Sequence, residues 1–166
     1  MKRIFLAAGV VAIMSGSVLA APGTHCGPGE TVWFNAALDG SSKTVSICGS
    51  SKLDGGDAWL QYRFGRPGRV ELAFPEKPAG NMSAFTYRRY TRPGTTYLKF
   101  DFKNGGYTYA ILEGFDDQAD TPSSATLRVT RDSDGTEVAN HDLNMSTEPL
   151  NIMRLEYKVT TKPFDE

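Results

Sequence analysis

From residue 30 onward, apolar and polar positions alternate in short runs, broken about every ten residues by glycine, proline or Asp-Gly signals, the rhythm of short antiparallel strands. In TVWFNAALDGSSKTVSIC a two-residue Asp39-Gly40 turn, of the kind hairpins prefer, places Phe34 opposite Val45, Val32 opposite Ile47 and Thr31 opposite Cys48. The four apolar residues then share one face. In AWLQYRFGRPGRVELAFP, Leu60, Tyr62 and Phe64 alternate with Gln61 and Arg63, and Val70, Leu72 and Phe74 alternate with Glu71 and Ala73. An odd-length loop around Arg66-Pro67-Gly68 sets Phe64 against Val70 and Arg63 against Glu71, so that core meets core and charge meets charge.

Pro75 and Pro78 end that pattern, and PEKPAGNMS reads as a loop before the weaker strand AFTYRRY. Further strands are expected over Thr95 to Phe102, Tyr107 to Leu112, Ala125 to Thr130 and Thr136 to Asn140, with either a short helix or a last strand between Glu148 and Lys158. No internal repeat, low-complexity tract or sustained helical period is present. The expected architecture is all-β: an antiparallel β-sandwich or flattened barrel of about eight strands.

The stretch FDFKNGGYTY is the sharpest local signal. A two-residue Asn104-Gly105 turn pairs Lys103 with Gly106 and sets Phe102 against Tyr107, Phe100 against Tyr109 and Leu98 against Ile111, every apolar pair on one face. A three-residue loop would instead bring Phe100 and Phe102 against Ala110 and Thr108, a poorer match. Tyr107 is then a half-buried aromatic at a hairpin end, whose ring can pack while its hydroxyl stays at the rim.

Composition changes the picture mainly at the N-terminus. MKR followed by IFLAAGVVAIM is a basic segment and an apolar run, and Val18-Leu19-Ala20 offers a small-residue cleavage site; residues 1–20 read as a signal peptide and 21–166 as a single β domain. The expected location is the periplasm or the outside of the cell. No other segment approaches the roughly 18 apolar residues of a membrane span, and Cys26 lies in no lipobox, so no membrane anchor is expected. Removing 20 of 166 residues leaves 146, with sixteen basic against nineteen acidic side chains and no basic run, which argues against nucleic acid as a partner. Cys26 and Cys48 are the only cysteines; in an oxidising compartment they are expected to form one disulfide, the competing metal pair having no nearby histidine except His25.

Neither His25 nor His141 stands beside a nucleophile signature, and no enzyme activity, cofactor or metal is expected. The acidic clusters Asp54 to Asp57, Asp116 to Asp120 and Asp132 to Asp134 read as solvated turns. The paired carboxylates of a hydrolase and the ligands of a calcium loop are the competing readings, although the last cluster lacks the glycine and distal acid of an EF-hand in their places.

Taken with the leader and the early disulfide, RPGTTYLKFDFKNGGYTYAIL resembles small periplasmic proteins of Gram-negative bacteria, among them the periplasmic inhibitors of i- and g-type animal lysozymes. WLQYRFGRPGRVELAFP also resembles secreted bacterial proteins with no assigned activity. The inhibitor resemblance implies an antiparallel β-sandwich that inserts a hairpin loop into the lysozyme cleft through a small polar residue, a glycine and a tyrosine shortly after. Asn104, Gly105 and Tyr107 stand at that spacing, with asparagine where serine is typical. On this reading Asn104, Gly105, Gly106 and Tyr107 contact the enzyme, and Asp101 is an acidic rim residue facing its basic exterior. The alternative is a non-catalytic envelope module whose aromatic face, including Trp59, Tyr97 and Tyr109, binds glycan or another protein. A purely structural role comes third.

Overall fold

A computed structural model describes residues 23–78, 80, 82–121, 123–146 and 151–164; the expected signal peptide lies outside them. The described residues form two sheets, as the alternation requires. One holds β1 (Thr31–Ala37), β2 (Thr44–Gly49), β3 (Leu60–Arg66) and β4 (Arg69–Phe74) in sequential order. The other contains β5 (Thr86–Arg92), β6 (Thr95–Asn104), β7 (Tyr107–Asp116), β8 (Ser123–Arg131), β9 (Glu137–Asp142) and β10 (Thr160–Lys162), with β10 lying parallel to β5 at the edge. The ten strands make a β-sandwich. Within the stretch expected to hold a short helix or a last strand, the described residues form a single 3₁₀ turn at Ile152–Leu155; the short strand β10 follows beyond it.

The registers depart from expectation in a regular way. Between β1 and β2, Phe34 faces Ile47 and Ala36 faces Val45, with a bulge between Val32 and Phe34. The loop is the four residues 39–42 and not Asp39-Gly40 alone. Leu38, 3 % exposed, is drawn into a bridge with Leu143, and the Asp39 amide donates to the Asp142 carbonyl at 2.9 Å. Between β3 and β4, Phe64 faces Leu72 and Arg63 faces Ala73, correcting the Val70 and Glu71 pairings. Here Pro67-Gly68 is the turn and a bulge at Gly65 absorbs the odd residue. A Cβ on Gly65 would lie 2.2 Å from the Arg69 carbonyl oxygen, so only glycine fits the bulge. Val70 consequently points outward, 45 % exposed.

The core lies between the sheets. Phe34, Val45, Ile47, Leu60 and Tyr62 from the smaller sheet meet Tyr87, Leu98, Phe100, Phe102, Ile111 and Leu127 from the larger one. Each of these side chains contributes on the order of 1.5–3 kcal/mol when fully buried. At one margin the sheets are stitched together: the Leu143 amide donates to Ala125 of β8, and the next amide, Asn144, donates to Ala37 of β1, both at 2.9 Å.

The outer face of the smaller sheet is polar and is covered by the N-terminal arm. Cys26 and Cys48 are bonded, with Cα atoms 5.3 Å apart, closing a loop whose chain-entropy contribution is roughly 3 kcal/mol. Beside it the Arg63 guanidinium grips the Glu30 carboxylate with two hydrogen bonds, at 2.5 and 2.8 Å, and donates to the His25 carbonyl at 2.8 Å. The Glu30 carboxyl also accepts the Gly27 amide. These contacts, led by the Arg63 hydrogen bonds, hold it below the usual carboxylate range against the opposing effect of burial.

Candidate functional site

The β6–β7 hairpin is the longest among the described residues, ten residues on each arm. Its turn is two residues long, as expected, but the central pair is Gly105-Gly106: Asn104 faces Tyr107, Lys103 faces Thr108, Phe102 faces Tyr109 and Phe100 faces Ile111. Gly105 and Gly106 have φ of 60° and 83°, the left-handed values a primed hairpin turn demands at both central positions. Both are solvent-exposed, and a Cβ built on either would have no atom within 4 Å. The apex is bare backbone.

Behind the apex the hairpin is stiff. Phe102 stacks between Phe74, at 4.3 Å and 11° between planes, and its cross-strand partner Tyr109, at 5.1 Å and 5°. On the other side the turn between β8 and β9 braces it. The Asp132 amide donates to the Gly106 carbonyl at 2.9 Å, the Thr108 hydroxyl donates to the Asp132 carboxylate at 2.6 Å, and Lys103 lies 3.5 Å from the same oxygen. The end of β7 lies at the opposite end of the sheet from the tip, where Asp116 pairs with Thr95. Asn104 and Tyr107, both half-buried, flank the apex as a directly opposed pair.

Of the residues expected at a contact surface, Asn104, Gly105, Gly106 and Tyr107 are brought together and Asp101 is not. Asp101 is 6 % exposed and its carboxylate is engaged by Arg88. Burial pushes its pKa up, outweighing the opposing pull of Arg88, Lys99 and Lys162. It is a structural ion pair on the outer face of the larger sheet and not a rim group. His25 is likewise tied down: its Nε2 lies 3.2 and 3.1 Å from the Thr44 and Gly65 carbonyl oxygens, so this nitrogen carries the proton and donates.

The expected aromatic face is divided. Tyr109 points into the core stack and Trp59 precedes β3, leaving Tyr97 on the outer face. Its true companions are Tyr90, directly opposite on β5, and Phe164 from the C-terminal tail. The first was visible in the sequence, because YTRPGTTY is symmetric about Pro93-Gly94 and a turn there sets the two tyrosines face to face. No sequence pattern pointed to Phe164, which arrives through the parallel strand β10.

Fold and site together define a disulfide-clasped β-sandwich that presents one rigid, glycine-tipped hairpin at one end. No family model, curated protein or solved structure matches the chain, so a functional assignment rests on these residues.

Proposed function

We propose that the chain is an exported, non-catalytic binding protein that inserts the 103–107 hairpin tip into the cleft of a lysozyme and blocks it. The observation that carries this reading is the Gly105-Gly106 apex, exposed and without side chains yet mounted on a ring-stacked hairpin that the β8–β9 turn braces at the Gly106 carbonyl. A lysozyme cleft is a narrow channel that accepts hydrogen-bonding groups along a sugar chain and contains two carboxyl groups, one kept protonated. The apex amides, the Asn104 carboxamide and the Tyr107 phenol offer both donors and acceptors. A preorganised tip loses little freedom on entering, which favours affinity. The disulfide is compatible with an oxidising compartment, and the basic-then-apolar leader agrees with export.

Lysis of cell-wall suspensions by i- and g-type lysozymes, followed by turbidity, tests the reading. The mature protein should suppress at least one of them. Tyr107→Phe, which keeps the ring, should weaken that suppression by about 1–3 kcal/mol of affinity with an unchanged melting temperature. A parent protein that leaves every lysozyme unaffected would overturn the assignment, and a fully active Tyr107→Phe would remove the phenol from the contact.

A further inference from the structure

On the outer face of the larger sheet, three aromatic rings converge outside the core. Tyr90 and Tyr97 stack at 6.2 Å, and Phe164 lies 6.5 Å from each. Tyr90 is 42 % and Tyr97 37 % exposed, a large apolar area to leave in water. The three rings and Arg92 line an open pocket of about 530 Å³. Tyr97 and Phe164 also wall a second hollow of about 190 Å³, which continues over Gly114 to Ser124, Thr126 and Arg128. Gly114 allows this: a Cβ there would lie 2.8 Å from the Ser124 hydroxyl and 3.2 Å from the Tyr97 ring. The groove crosses β5 to β8, roughly 14 Å at the ordinary strand spacing.

The rim selects among ligands. The Tyr97 hydroxyl donates to the Asp116 carboxylate at 3.2 Å, and Arg92 lies 4.0 Å from the same group. A caged organic cation, the usual guest of three aromatic rings, is opposed by the Arg92 guanidinium in the same pocket. A purely apolar guest would take water from Arg92, which donates to Thr95 Oγ1 at 3.2 Å, from Arg128, which pairs with Glu137 at 2.9 Å, and from Asp116 and Thr126, and would offer none of them a hydrogen bond in its place. What satisfies both sets is a neutral molecule with apolar ring faces and hydroxyl edges, long enough to span both hollows.

We propose that this face is a carbohydrate-binding groove for an oligosaccharide of pyranose rings. Sugar C–H faces stack on Tyr97, Tyr90 and Phe164, and sugar hydroxyls bond Arg92 and Asp116 at one end and Thr126 and Arg128 at the other. The groove is separate from the hairpin tip and does not depend on it.

Titration calorimetry on the mature protein with chitotetraose, cellotetraose and maltotetraose tests the proposal, since the three probes differ in linkage and N-acetylation but share pyranose faces. At least one should bind. Phe164→Ala and Tyr90→Ala should each weaken it about five- to tenfold, as loss of one stacked ring implies, and Arg92→Ala should weaken it as well. Tyr107→Phe should leave it unchanged, which separates this groove from the tip. Because Tyr97 also covers Gly114, Phe164→Ala is the decisive variant: it removes a tail ring that is not part of the core cluster among the described residues, and its melting temperature should equal the parent's. Three results would each overturn the groove: no heat from any probe at millimolar concentration, binding that survives both Phe164→Ala and Tyr90→Ala, or self-association of the parent that these variants abolish.

Discussion

Replacing Arg63 by alanine puts the N-terminal clasp to the test. Arg63 has 15 % of its side chain exposed and Glu30 20 %. The guanidinium makes four hydrogen bonds, two to Glu30, one to the His25 carbonyl and one to the Gln61 side-chain oxygen at 2.7 Å. Each hydrogen bond to a charged group is worth roughly 1.5–3 kcal/mol net, while removing one member of a fully buried pair costs about 3–5. Water reaches the partly exposed Glu30 in the variant, so the bonds do not sum, and about 3 kcal/mol is expected. For a domain of this size that lowers the melting temperature by roughly 6–12 °C. Lys43→Ala is the internal control, because Lys43 and Glu71 sit 2.7 Å apart with 32 % exposure on each side and such a pair contributes under about 1 kcal/mol. Thermal melts of parent, Arg63→Ala and Lys43→Ala by circular dichroism at pH 7 decide the matter. The pH dependence has a definite sign. Since the folded protein depresses the Glu30 pKa, the Glu30 contribution is complete above its unfolded value and is lost as pH falls through the folded one, so parent and Arg63→Ala should draw together in acid. An Arg63→Ala loss no larger than that of Lys43→Ala would refute the clasp.

Phe102→Ala should cost about 3–5 kcal/mol in urea denaturation, because the ring is 3 % exposed within the stack behind the tip; a loss below about 1.5 would mean the stack carries no core weight. Gly105→Ala should cost about 1–2 kcal/mol through backbone strain alone, the site being open, and Gly105→Asn noticeably less; equal costs would contradict the left-handed turn. Glu113 is pushed up in pKa by burial, only partly offset by the Ile152 amide it accepts. Its protonation therefore stabilises the fold fully below the unfolded value, and this is lost as pH rises through the folded one. Glu113→Gln should melt at or above the parent at pH 7.5 and match it near pH 4; a variant less stable at pH 7.5 would show that the ionised carboxylate is needed.

For most core residues the face was legible in the sequence, Val70 being an exception beyond the bulge; which residue each one meets was less so. In all three expected hairpins the observed partner of a core residue lies two positions away from the expected one: Phe34 with Ile47 in place of Val45, Phe64 with Leu72 in place of Val70, Phe100 with Ile111 in place of Tyr109. A slip of one would have turned every core side chain to solvent, and the pattern forbids it; a slip of two leaves the faces intact, and the pattern is silent. Long-range contacts then decide. Leu38 is held by Leu143 from the other sheet, which lengthens the first loop to four residues. The Gly65 bulge lets Pro67-Gly68 turn tightly while Phe64 still reaches Leu72. Arg63 lost its expected partner Glu71 for Glu30, a residue in an arm whose path no periodicity described.

The same ambiguity reshapes the candidate site. With Asn104-Gly105 as the turn, the asparagine side chain would stand at the apex and Tyr107 would pair with Phe102 one step inside. With Gly105-Gly106 as the turn, the apex carries no side chain, and Asn104 and Tyr107 oppose each other immediately behind it. Both dipeptides satisfy a primed turn, so the choice rests on what each register does to the strands: the observed one adds the Asn104–Tyr107 rung and brings the Phe102 and Tyr109 rings into parallel contact. Packing thus sets the tip's chemistry. The group that reaches furthest is main chain, identical in any Gly-Gly turn, and discrimination falls to the two side chains set back on either flank. A cleft that recognises this tip must therefore be deep enough for the glycines to pass before Asn104 and Tyr107 make contact, and a shallow groove would meet only backbone.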